Sequence, residues 1–395
     1  MPLKLFVPKE RDPVETRVAA SPDTVKRLAG RGIAVVVESG AGDASRITDA
    51  AFEAAGAAIG SSGDAGDADV VLKVRRPTAD EISAYKRGAV VIATMDPYGQ
   101  DEAVRSMAEA GILAFAMEFM PRITRAQVMD VLSSQANLAG YQAVIDAAAE
   151  YDRAFPMMMT AAGTVPAARV FVMGAGVAGL QAIATAKRLG AVVTATDVRP
   201  AAKEQVESLG AKFIAVEDDE FRAAETAGGY AKEMSKEYQA KQADLVASHI
   251  AKQDVVITTA LIPGRPAPRL VTKAMVESMK PGSILVDLAV ERGGNVEGAV
   301  PGEIATVGPA RIIGHLNVPG RIAASASLLY AKNLLAFLET MLDKESGALT
   351  IDFDDQLVKA TLLTRDGKVV HPAFAKDEPA PAAAGAGPQT EGGAA

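Results

Sequence analysis

A chain of 395 residues exceeds what one ordinary hydrophobic core encloses, so two domains of common size are expected. Its formal net charge of −8 argues against nucleic acid as a partner, because phosphate binding needs a basic surface. The chain has no cysteine, which excludes disulfides, thiolate metal sites and dithiol redox chemistry, and only three histidines, which excludes a histidine-rich metal site.

The amino terminus, MPLKLFVPKERDP, is charged within its first nine residues and lacks the apolar segment of a secretory signal, so a cytoplasmic protein is expected. Helical stretches then alternate with short β-rich runs, which are KLFVP, IAVVVE, DVVLKV, AVVIAT and ILAFAM. In SPDTVKRLAGRG, Ser21 fits an N-cap and Pro22 the first helical position. Runs that are apolar on both faces and joined by helices predict a mostly parallel sheet.

Two long segments have helical spacing and few helix breakers, SSQANLAGYQAVIDAAAEYD and ASASLLYAKNLLAFLETML. We expect both to be long helices that cross between domains. The second is rich in apolar residues, but Lys332, Asn333 and Glu339 interrupt it, which argues against a membrane span. No direct insertion into a membrane is therefore expected.

A second α/β series lies between these helices, with the runs ARVFVMG, AVVTATD, AKFIAV, DVVITTA and SILVDLA. It begins with VFVMGAGVAGLQA, which contains Gly174, Gly176 and Gly179 in the spacing of a dinucleotide-binding turn. A lone pattern of this kind also occurs in structural turns. Here a strand precedes it, a helix follows it, and Asp197 ends the next strand 18 residues after Gly179, close to the spacing of the fingerprint.

The nature of the dinucleotide follows from Asp197, which can accept hydrogen bonds from the adenosine ribose and repel a 2′-phosphate. NAD(H) is therefore predicted rather than NADP(H), although a strand-end cap is the alternative role for this residue. Arg199 either contacts the adenosine phosphate or is simply solvated. The sequence leaves this open.

Most dehydrogenases also need an acid/base residue beside the nicotinamide, commonly His or Lys. The three histidines are weak candidates: His249 lies in a helical pattern, His315 follows a strand in IIGHLNVPG, and His371 borders the carboxy-terminal tail. The sequence thus predicts a nicotinamide cofactor site without a clear proton-transfer residue.

The predicted fold class is α/β, with two Rossmann-like parallel-sheet domains joined by two long helices. The first domain is expected to be discontinuous and to comprise residues 1–135 and 312–371. Residues 136–311 form the expected NAD(H)-binding domain. Residues 372–395 are rich in Pro, Ala and Gly and are expected to be a disordered tail.

Several segments resemble the alanine dehydrogenase and NAD(P) transhydrogenase superfamily over essentially the whole chain, and they are VPKERDPVETRVAASPDTV, LKVRRP, GAGVAGLQAIATAKRLGAVVTATDVRP and VDLAVERGGNVEG. Arg17 and Lys73 match the residues that hold the substrate carboxylate in alanine dehydrogenases. Asp96 stands nearest the position of their acid/base histidine, and Glu291 where they carry an acidic cleft residue. Arg17 and Lys73 are read as remnants of a carboxylate site or as structural ion-pair members.

The transhydrogenase branch of the superfamily fits better. MPRITRAQVMDVLSSQANLAGYQAV is similar to a signature loop of its NAD(H)-binding α1 subunits, and ETAGGYAKEMSKEYQAKQ to their mobile loop. The resemblance implies direct hydride transfer between NAD(H) and NADP(H) held by a partner β subunit, coupled by membrane subunits to proton translocation. No acid/base residue is needed, because no proton moves at the reacting carbons.

The same resemblance implies the site residues. Those expected to hold the nicotinamide and support catalysis are Arg122, Gln127, Asp130 and Ser133. The backbone expected against the same ring is that of Ile123, Thr124, Val128 and Met129. Further NAD(H)-binding positions, beside the three glycines, Asp197 and Arg199, are Val177, Ala178, Val198, Gly229, Tyr230, Gln242 and Leu261.

Gly228 and Gly229 give Tyr230 a flexible mounting that suits a lid over the nucleotide, although an ordinary surface loop is the alternative. The resemblance also implies a homodimer, located at the inner face of the cytoplasmic membrane through partner subunits. Two rival functions remain open: an alanine dehydrogenase, and a non-enzymatic NAD(H)-binding regulatory module.

Overall fold

The computed structural model describes residues 2–222 and 234–375. Residues 4–116 form one sheet with its helices, and in chain order the elements are β1 (Lys4–Val7), α1 (Pro22–Ala29), β2 (Ala34–Glu38), α2 (Asp49–Ala54), β3 (Ala58–Gly60), β4 (Val70–Arg75), α3 (Ala79–Ala84), β5 (Val90–Thr94), α4 (Asp101–Glu109) and β6 (Leu113–Ala116). The strands are all parallel, in the order β3-β2-β1-β4-β5-β6. The strand order reverses at β1 and β4, where the carboxyl ends of strands leave a crevice.

Local sequence signals explain how these elements begin. Ser21 caps α1 through a capping box with Thr24, and Pro22 occupies the first turn, as the sequence predicts. The apolar runs become the central strands, and the side chains of β4 and β5 are almost entirely buried. Burial on both faces accounts for strands that lack apolar–polar alternation.

The following segment of the chain begins with a long helix and forms a second sheet, and its elements are α5 (Val131–Glu150), β7 (Met158–Thr160), β8 (Gly163–Val165), β9 (Arg169–Met173), α6 (Val177–Arg188), β10 (Val192–Thr196), α7 (Ala202–Ser208), β11 (Lys212–Phe213), α8 (Asp219–Arg222), α9 (Lys236–Ile250), β12 (Val255–Thr258), α10 (Lys273–Glu277), β13 (Ser283–Asp287), β14 (Ile304–Val307) and β15 (Ala310–Ile313). The sheet has the order β11-β10-β9-β12-β13-β15-β14. Its strands are parallel except β14, which is antiparallel to β15. The predicted α/β fold class with two parallel-sheet units is confirmed.

The last described segment returns to the first sheet, through α11 (Ala323–Glu339), α12 (Gln356–Thr361), β16 (Thr364–Arg365) and β17 (Lys368–Val369). Leu334, Phe337 and Leu338 of α11 are buried in the core of the first sheet. Thr364 Oγ1 donates to the Ile112 carbonyl at 2.7 Å. The first structural unit is thus completed by residues from the far end of the chain.

The expected domain boundary at residue 312 divides β15. Residues 310–313 pair with β13 in the second sheet, so Ile312 and Ile313 belong to that sheet. Phe374, which falls inside the stretch expected to be a tail, packs its ring against Tyr98 and Phe119. Both departures arise from contacts made far away in sequence.

The two expected long helices are present as α5 and α11, and they pack against each other. In the described residues of the chain, no helix combines the length and apolarity needed to cross a membrane. An unpredicted feature is the β7–β8 hairpin, which follows α5 and exposes three consecutive methionines, Met157, Met158 and Met159.

Candidate nicotinamide nucleotide site

The turn between β9 and α6 has the geometry of a dinucleotide-binding turn. Gly174 has a φ of +103°, which favours glycine, and its N–H donates to the Thr196 carbonyl at 2.9 Å. A Cβ on Gly179 would lie 1.8 Å from the Gly174 carbonyl oxygen, so only glycine lets α6 approach the turn this closely. The backbone therefore requires glycine at both positions.

The start of α6 suits a phosphate group. Gly176 is the N-cap, makes no side-chain capping hydrogen bond, and has no heavy atom within 4 Å of where a Cβ would stand. Open space in front of an uncapped helix N-terminus is what a pyrophosphate needs in order to approach the backbone N–H groups. Val177 and Ala178 form the first turn of this helix.

Asp197 follows β10 and its side chain is only 6% exposed, but its carboxylate is already engaged. The Ala175 N–H donates to Oδ2 at 2.7 Å, and the Arg199 N–H donates to Oδ1 at 2.9 Å. The Arg199 guanidinium also binds both oxygens, at 2.9 and 3.0 Å, and these hydrogen bonds raise the pKa of Arg199. Arg199 is therefore paired with Asp197 although its side chain is 35% exposed, and a ribose would share Asp197 with it or displace it. Val198, between them, is exposed.

Gln242 of α9 supports the same end of β10. Its Nε2 donates to Thr196 Oγ1 at 3.2 Å, and its Oε1 accepts from the Val216 N–H at 2.9 Å. These contacts hold the strand end that carries Asp197. The remaining predicted residues of this region, Gly229 and Tyr230, lie outside the described residues.

The loop after β12 carries Leu261, which is half-exposed. Asn295, fully buried, clamps this loop by accepting from the Ala260 N–H at 3.1 Å and donating to the Ala260 carbonyl at 2.9 Å. The sequence analysis missed Asn295, although it lies in the family-like segment VDLAVERGGNVEG. The loop is thus fixed in position rather than free at the sheet edge.

The predicted nicotinamide loop forms a 3₁₀ turn over Thr124–Met129, followed directly by α5. Asp130 is the N-cap of α5: its Oδ1 accepts from the Ser133 N–H at 2.9 Å, and its Oδ2 from Ser133 Oγ at 2.6 Å. Two predicted site residues therefore contact each other directly. The pair also has a structural role that the sequence analysis did not assign.

Asn333 of α11 holds this loop through two side-chain hydrogen bonds. Its Nδ2 donates to the Val128 carbonyl at 2.8 Å, and its Oδ1 accepts from Ser134 Oγ at 2.7 Å. Val128 and Asn333 are 205 positions apart, so no local signal in the sequence pointed to this contact. Buried Asn333 therefore ties the loop to α11, which packs in the core of the first sheet.

The side chains of the loop divide into exposed and buried groups. Arg122, Gln127 and Val128 are exposed, and neither Arg122 nor Gln127 hydrogen-bonds through its side chain to another residue of the described ranges. Met129 is buried in the core of the first sheet, and Ile123 packs partly against that core. Hence Met129 and Ile123 can meet a ligand mainly through their backbone, as expected, whereas Arg122 and Gln127 offer free polar groups.

The nicotinamide loop and the dinucleotide turn are brought together by the crossing of α5 and α6. A Cβ on Gly140 of α5 would lie 2.0 Å from the Ala178 carbonyl oxygen of α6, so the two helix backbones are in direct contact. Asn137 Nδ2 donates to Gln181 Oε1 at 3.2 Å beside this crossing. Ser133 lies two turns before Gly140, roughly 10 Å along the helix. The starts of α5 and α6 therefore lie within about two helical turns of each other.

Exposed apolar side chains lie on both groups of elements that the crossing of α5 and α6 brings together. On the side of the first domain and α5 they are Val128, Leu132 and Tyr141, and on the other side they are Val177, Val198, Leu261 and Ile262. Exposed apolar groups are typical of surfaces that a ligand or another chain covers. This region therefore offers exposed apolar side chains as well as the free polar groups of Arg122 and Gln127.

Arg17 and Lys73 are buried ion-pair members. Glu15 binds Arg17 through both oxygens at 2.7 Å and also accepts from Arg75 at 2.7 Å. Burial alone would raise the pKa of Glu15, but the two arginines outweigh it and lower the pKa to about 2. Lys73 pairs with Glu81 at 2.7 Å. These contacts favour the interpretation of Arg17 and Lys73 as structural ion-pair members over that as remnants of a carboxylate site.

The three histidines make structural contacts or are partly buried away from solvent. His249 Nε2 shares a hydrogen bond with Thr194 Oγ1 at 2.9 Å, and His371 stacks on Phe119. His315 is half-buried, and burial lowers the pKa of all three imidazoles. Asp96, nearest the position of the alanine dehydrogenase histidine, is ion-paired with Arg292 at 2.6 Å.

Comparison with known proteins agrees with this geometry. Residues 6–139 match the family described as "Alanine dehydrogenase/PNT, N-terminal domain", and residues 143–372 match "Alanine dehydrogenase/PNT, C-terminal domain". A Rhodospirillum rubrum protein, named as the first portion of NAD(P) transhydrogenase subunit alpha, is 57% identical over 94% of this chain and 99% of its own length. A crystal structure of transhydrogenase from Sinorhizobium meliloti has a TM-score of 0.86 and 69% identity, covering 93% of this chain and all of that one. An alanine dehydrogenase of Halomonas elongata is 30% identical over 95% of this chain and 96% of its own length.

Proposed function

The chain belongs to the alanine dehydrogenase/PNT family, and from this premise we propose that it is the NAD(H)-binding subunit of a transhydrogenase. The higher identity to transhydrogenase α subunits than to alanine dehydrogenase confirms the transhydrogenase branch expected from the sequence. In the proposed reaction, hydride passes directly between NAD(H) on this chain and NADP(H) held by a partner subunit.

One observation carries the proposal: Gly140, about two helical turns after the loop of residues 122–133, is in direct contact with Ala178 in the first turn of α6. A dinucleotide whose pyrophosphate lies at Gly176 can then extend its nicotinamide toward that loop. When bound, NADH supplies a hydride from C4 of its nicotinamide. The chain's own contribution is to hold the nicotinamide ring in one position. Proximity and orientation of the two rings then lower the activation barrier of hydride transfer.

The polar residues of the loop suit this task. Arg122 and Gln127 can donate hydrogen bonds to a carboxamide oxygen, and Gln127 can also accept from its NH₂ group. The Asp130 carboxylate keeps lone pairs for an amide or a ribose hydroxyl beyond its two contacts with Ser133. Because Asp130 also caps α5, its position is fixed before a nucleotide arrives.

A direct hydride exchange needs exclusion of water more than it needs a proton donor. The apolar rim formed by Val128, Leu132, Tyr141 and Leu261 offers a surface that a partner subunit can cover. Asp96, nearest the position of the acid/base histidine of alanine dehydrogenases, is a carboxylate. It is ion-paired with Arg292. These features support hydride exchange over amino-acid oxidation.

The test is isotopic. With deuterium at the transferred C4 position of NADH and the NADP(H)-binding subunit present, the label is expected at C4 of NADPH with little dilution by solvent hydrogen. Washout of the label would contradict direct transfer. Turnover of pyruvate, ammonia and NADH by the chain alone would favour the alanine dehydrogenase, and NADH binding with no label transfer would favour a regulatory module.

We also propose that the chain forms a homodimer, and the exposed β7–β8 hairpin supports this proposal. Met157, Met158 and Met159 are 61%, 43% and 80% exposed, an apolar cluster that a second copy of the chain can cover. Light scattering should give twice the chain mass of 40.8 kDa. Met159→Lys should shift the mass toward the monomer, whereas Ile304→Lys, at an exposed apolar position in β14, should not. A dimer that persists in Met159→Lys at low concentration would remove the hairpin from the interface.

We further propose that membrane-spanning partner subunits hold this chain at the inner face of the cytoplasmic membrane and couple hydride transfer to proton translocation. The proposal rests on the α-subunit relatives. Co-purification of the chain with membranes that contain the partner subunits, and its release when they are absent, would test it. An equal distribution in both preparations would contradict it.

A further inference from the structure

We propose that two adjacent ion pairs form a cross-domain latch that positions the nicotinamide loop over the NAD(H) domain. Glu291 and Arg292, in the 3₁₀ turn after β13, face Arg75 and Asp96, at the carboxyl ends of β4 and β5. Arg292 Nη2 lies 2.6 Å from Asp96 Oδ2, and Arg75 Nη2 lies 4.0 Å from Glu291 Oε1. These four residues are called the latch below.

On the second-domain side, the turn that carries Glu291 and Arg292 is rigid. Asp287, almost fully buried, accepts from the Ala289 N–H and from the Val296 N–H, both at 2.9 Å. The Asn317 N–H donates to Glu291 Oε2 at 3.3 Å. The same turn is tied to the NAD(H) site, because the neighbouring Asn295 clamps Ala260 beside Leu261.

On the first-domain side, Asp96 is held in a conformation that an ordinary residue avoids, with a φ of +45°. The half-buried Glu118 accepts through its carboxylate from the Met95 N–H at 3.0 Å and from the Asp96 N–H. Arg76 donates to the carbonyls of Met95 and Asp96. These hydrogen bonds fix the backbone from which the Asp96 side chain reaches Arg292.

The signs of the four charges favour one relative position of the two domains. Along the turn the order is negative then positive, and the facing residues Arg75 and Asp96 have the opposite order. A sliding of the two domains by one residue would bring like charges together. Arg75 is fixed in turn by Glu15, at 2.7 Å, so the latch is continuous with the buried network of the first domain.

This inference rests on the proposed function. The pyrophosphate site at Gly176 belongs to the second domain, and the loop of residues 122–133 to the first, so the angle between the domains sets the position of the ring. Asp96 and Arg292 are therefore positioning residues for hydride transfer. Neither is assigned contact with the nucleotide.

The experiment uses the full chain with its partner subunit. Because the chain has no cysteine, Ala84→Cys in α3 and Ala274→Cys in α10 allow one spin label in each domain. Dilution with unlabelled chain removes distances between copies. Pulsed electron paramagnetic resonance then reports the interdomain distance with and without NADH, and this measurement does not depend on catalysis.

Arg292→Glu places a second negative charge against Asp96. We expect a longer or broader distance distribution, and kcat for hydride transfer lower by about tenfold with KM for NADH changed by less than about threefold. Asp96→Asn removes the repulsion and tolerates positive φ, so Asp96→Asn in the Arg292→Glu chain should restore the distribution and most of kcat. Arg188→Glu, the same charge change at an exposed position in the last turn of α6, is the matched control and should equal the unchanged chain.

A distance distribution in Arg292→Glu equal to that of the unchanged chain would overturn the latch, as would a double variant no better than Arg292→Glu. The proposed function fails in a different way. In that case the unchanged chain itself transfers no label to NADP⁺, whatever the distance measurement shows.

Discussion

Replacement of Gly140 by alanine tests the contact on which the proposed site depends. The added Cβ would lie 2.0 Å from the Ala178 carbonyl oxygen and 2.8 Å from its carbon. Ordinary contact begins near 3.4 Å, so α5 and α6 must separate by about 1.4 Å. Neither atom belongs to a side chain that can rotate away.

The magnitude follows from two opposing effects. Alanine is favoured over glycine within a helix by about 1 kcal/mol, and forced overpacking costs about 1–3 kcal/mol. With backbone on both sides we take the upper end, which gives a net loss of about 2 kcal/mol in the free energy of unfolding. Because a 1 Å misplacement can cost about 100-fold in rate, hydride transfer should fall by about that factor.

Unfolding in urea, followed by circular dichroism, measures the first effect, and single-turnover reduction of NADP⁺ with the partner subunit measures the second. Gly63→Ala is the control, because its Cβ would meet Ser61 Oγ only at 3.6 Å. It should leave stability and rate nearly unchanged. If Gly140→Ala retained the stability and transfer rate of the unchanged chain, the close crossing would not position the loop.

Asp197→Asn should weaken NADH binding by about 1–3 kcal/mol in calorimetry and reduce discrimination against NADPH, because the charged acceptor is lost; unchanged affinity would remove Asp197 from the site. Asn333→Leu should lower the rate of transfer more than the affinity for NADH, since the loop loses its anchor at Val128; equal rates would contradict this. Glu15→Gln should cost about 3–5 kcal/mol in urea unfolding, because it leaves Arg17 in the core without a carboxylate. In the unchanged chain the contribution of Glu15 is complete above about pH 4.5 and lost as the pH falls toward about 2, since its pKa is lowered on folding; the variant should lack this acid-dependent loss.

Much of the fold could be predicted because its signals are local. The buried strands are continuous apolar runs, Ser21 and Pro22 mark the start of α1, and the spacing from Gly174 to Asp197 is that of a strand–helix–strand unit. The short strand β3 escaped prediction, because its three residues are too few for a recognisable pattern. The two-residue strand β11 lies inside the predicted run AKFIAV.

The site was predicted incompletely, and most of what was missed is long-range. Asp130 and Ser133 were predicted as site residues from the resemblance, but the N-cap contact between them was not. Asn333 contacts the loop from 205 positions away, and nothing in its neighbourhood distinguishes it from other polar residues of a helix. Arg199 was placed near the cofactor by its position, but its pairing with Asp197 depends on side-chain geometry that spacing does not encode.

The return of α11 to the first sheet determines the order in which a nascent chain can fold. Phe337 packs on Phe115 with ring centroids 5.6 Å apart, and Leu334 and Leu338 fill the same core. The first domain therefore cannot close until residues beyond 338 have left the ribosome. The sheet of residues 169–313 is contiguous and is available earlier, so the second domain in sequence is the first to fold, against the usual order of synthesis. A chain that stops before α11 would carry a finished nucleotide domain beside an open apolar core, a clear substrate for chaperones and proteases.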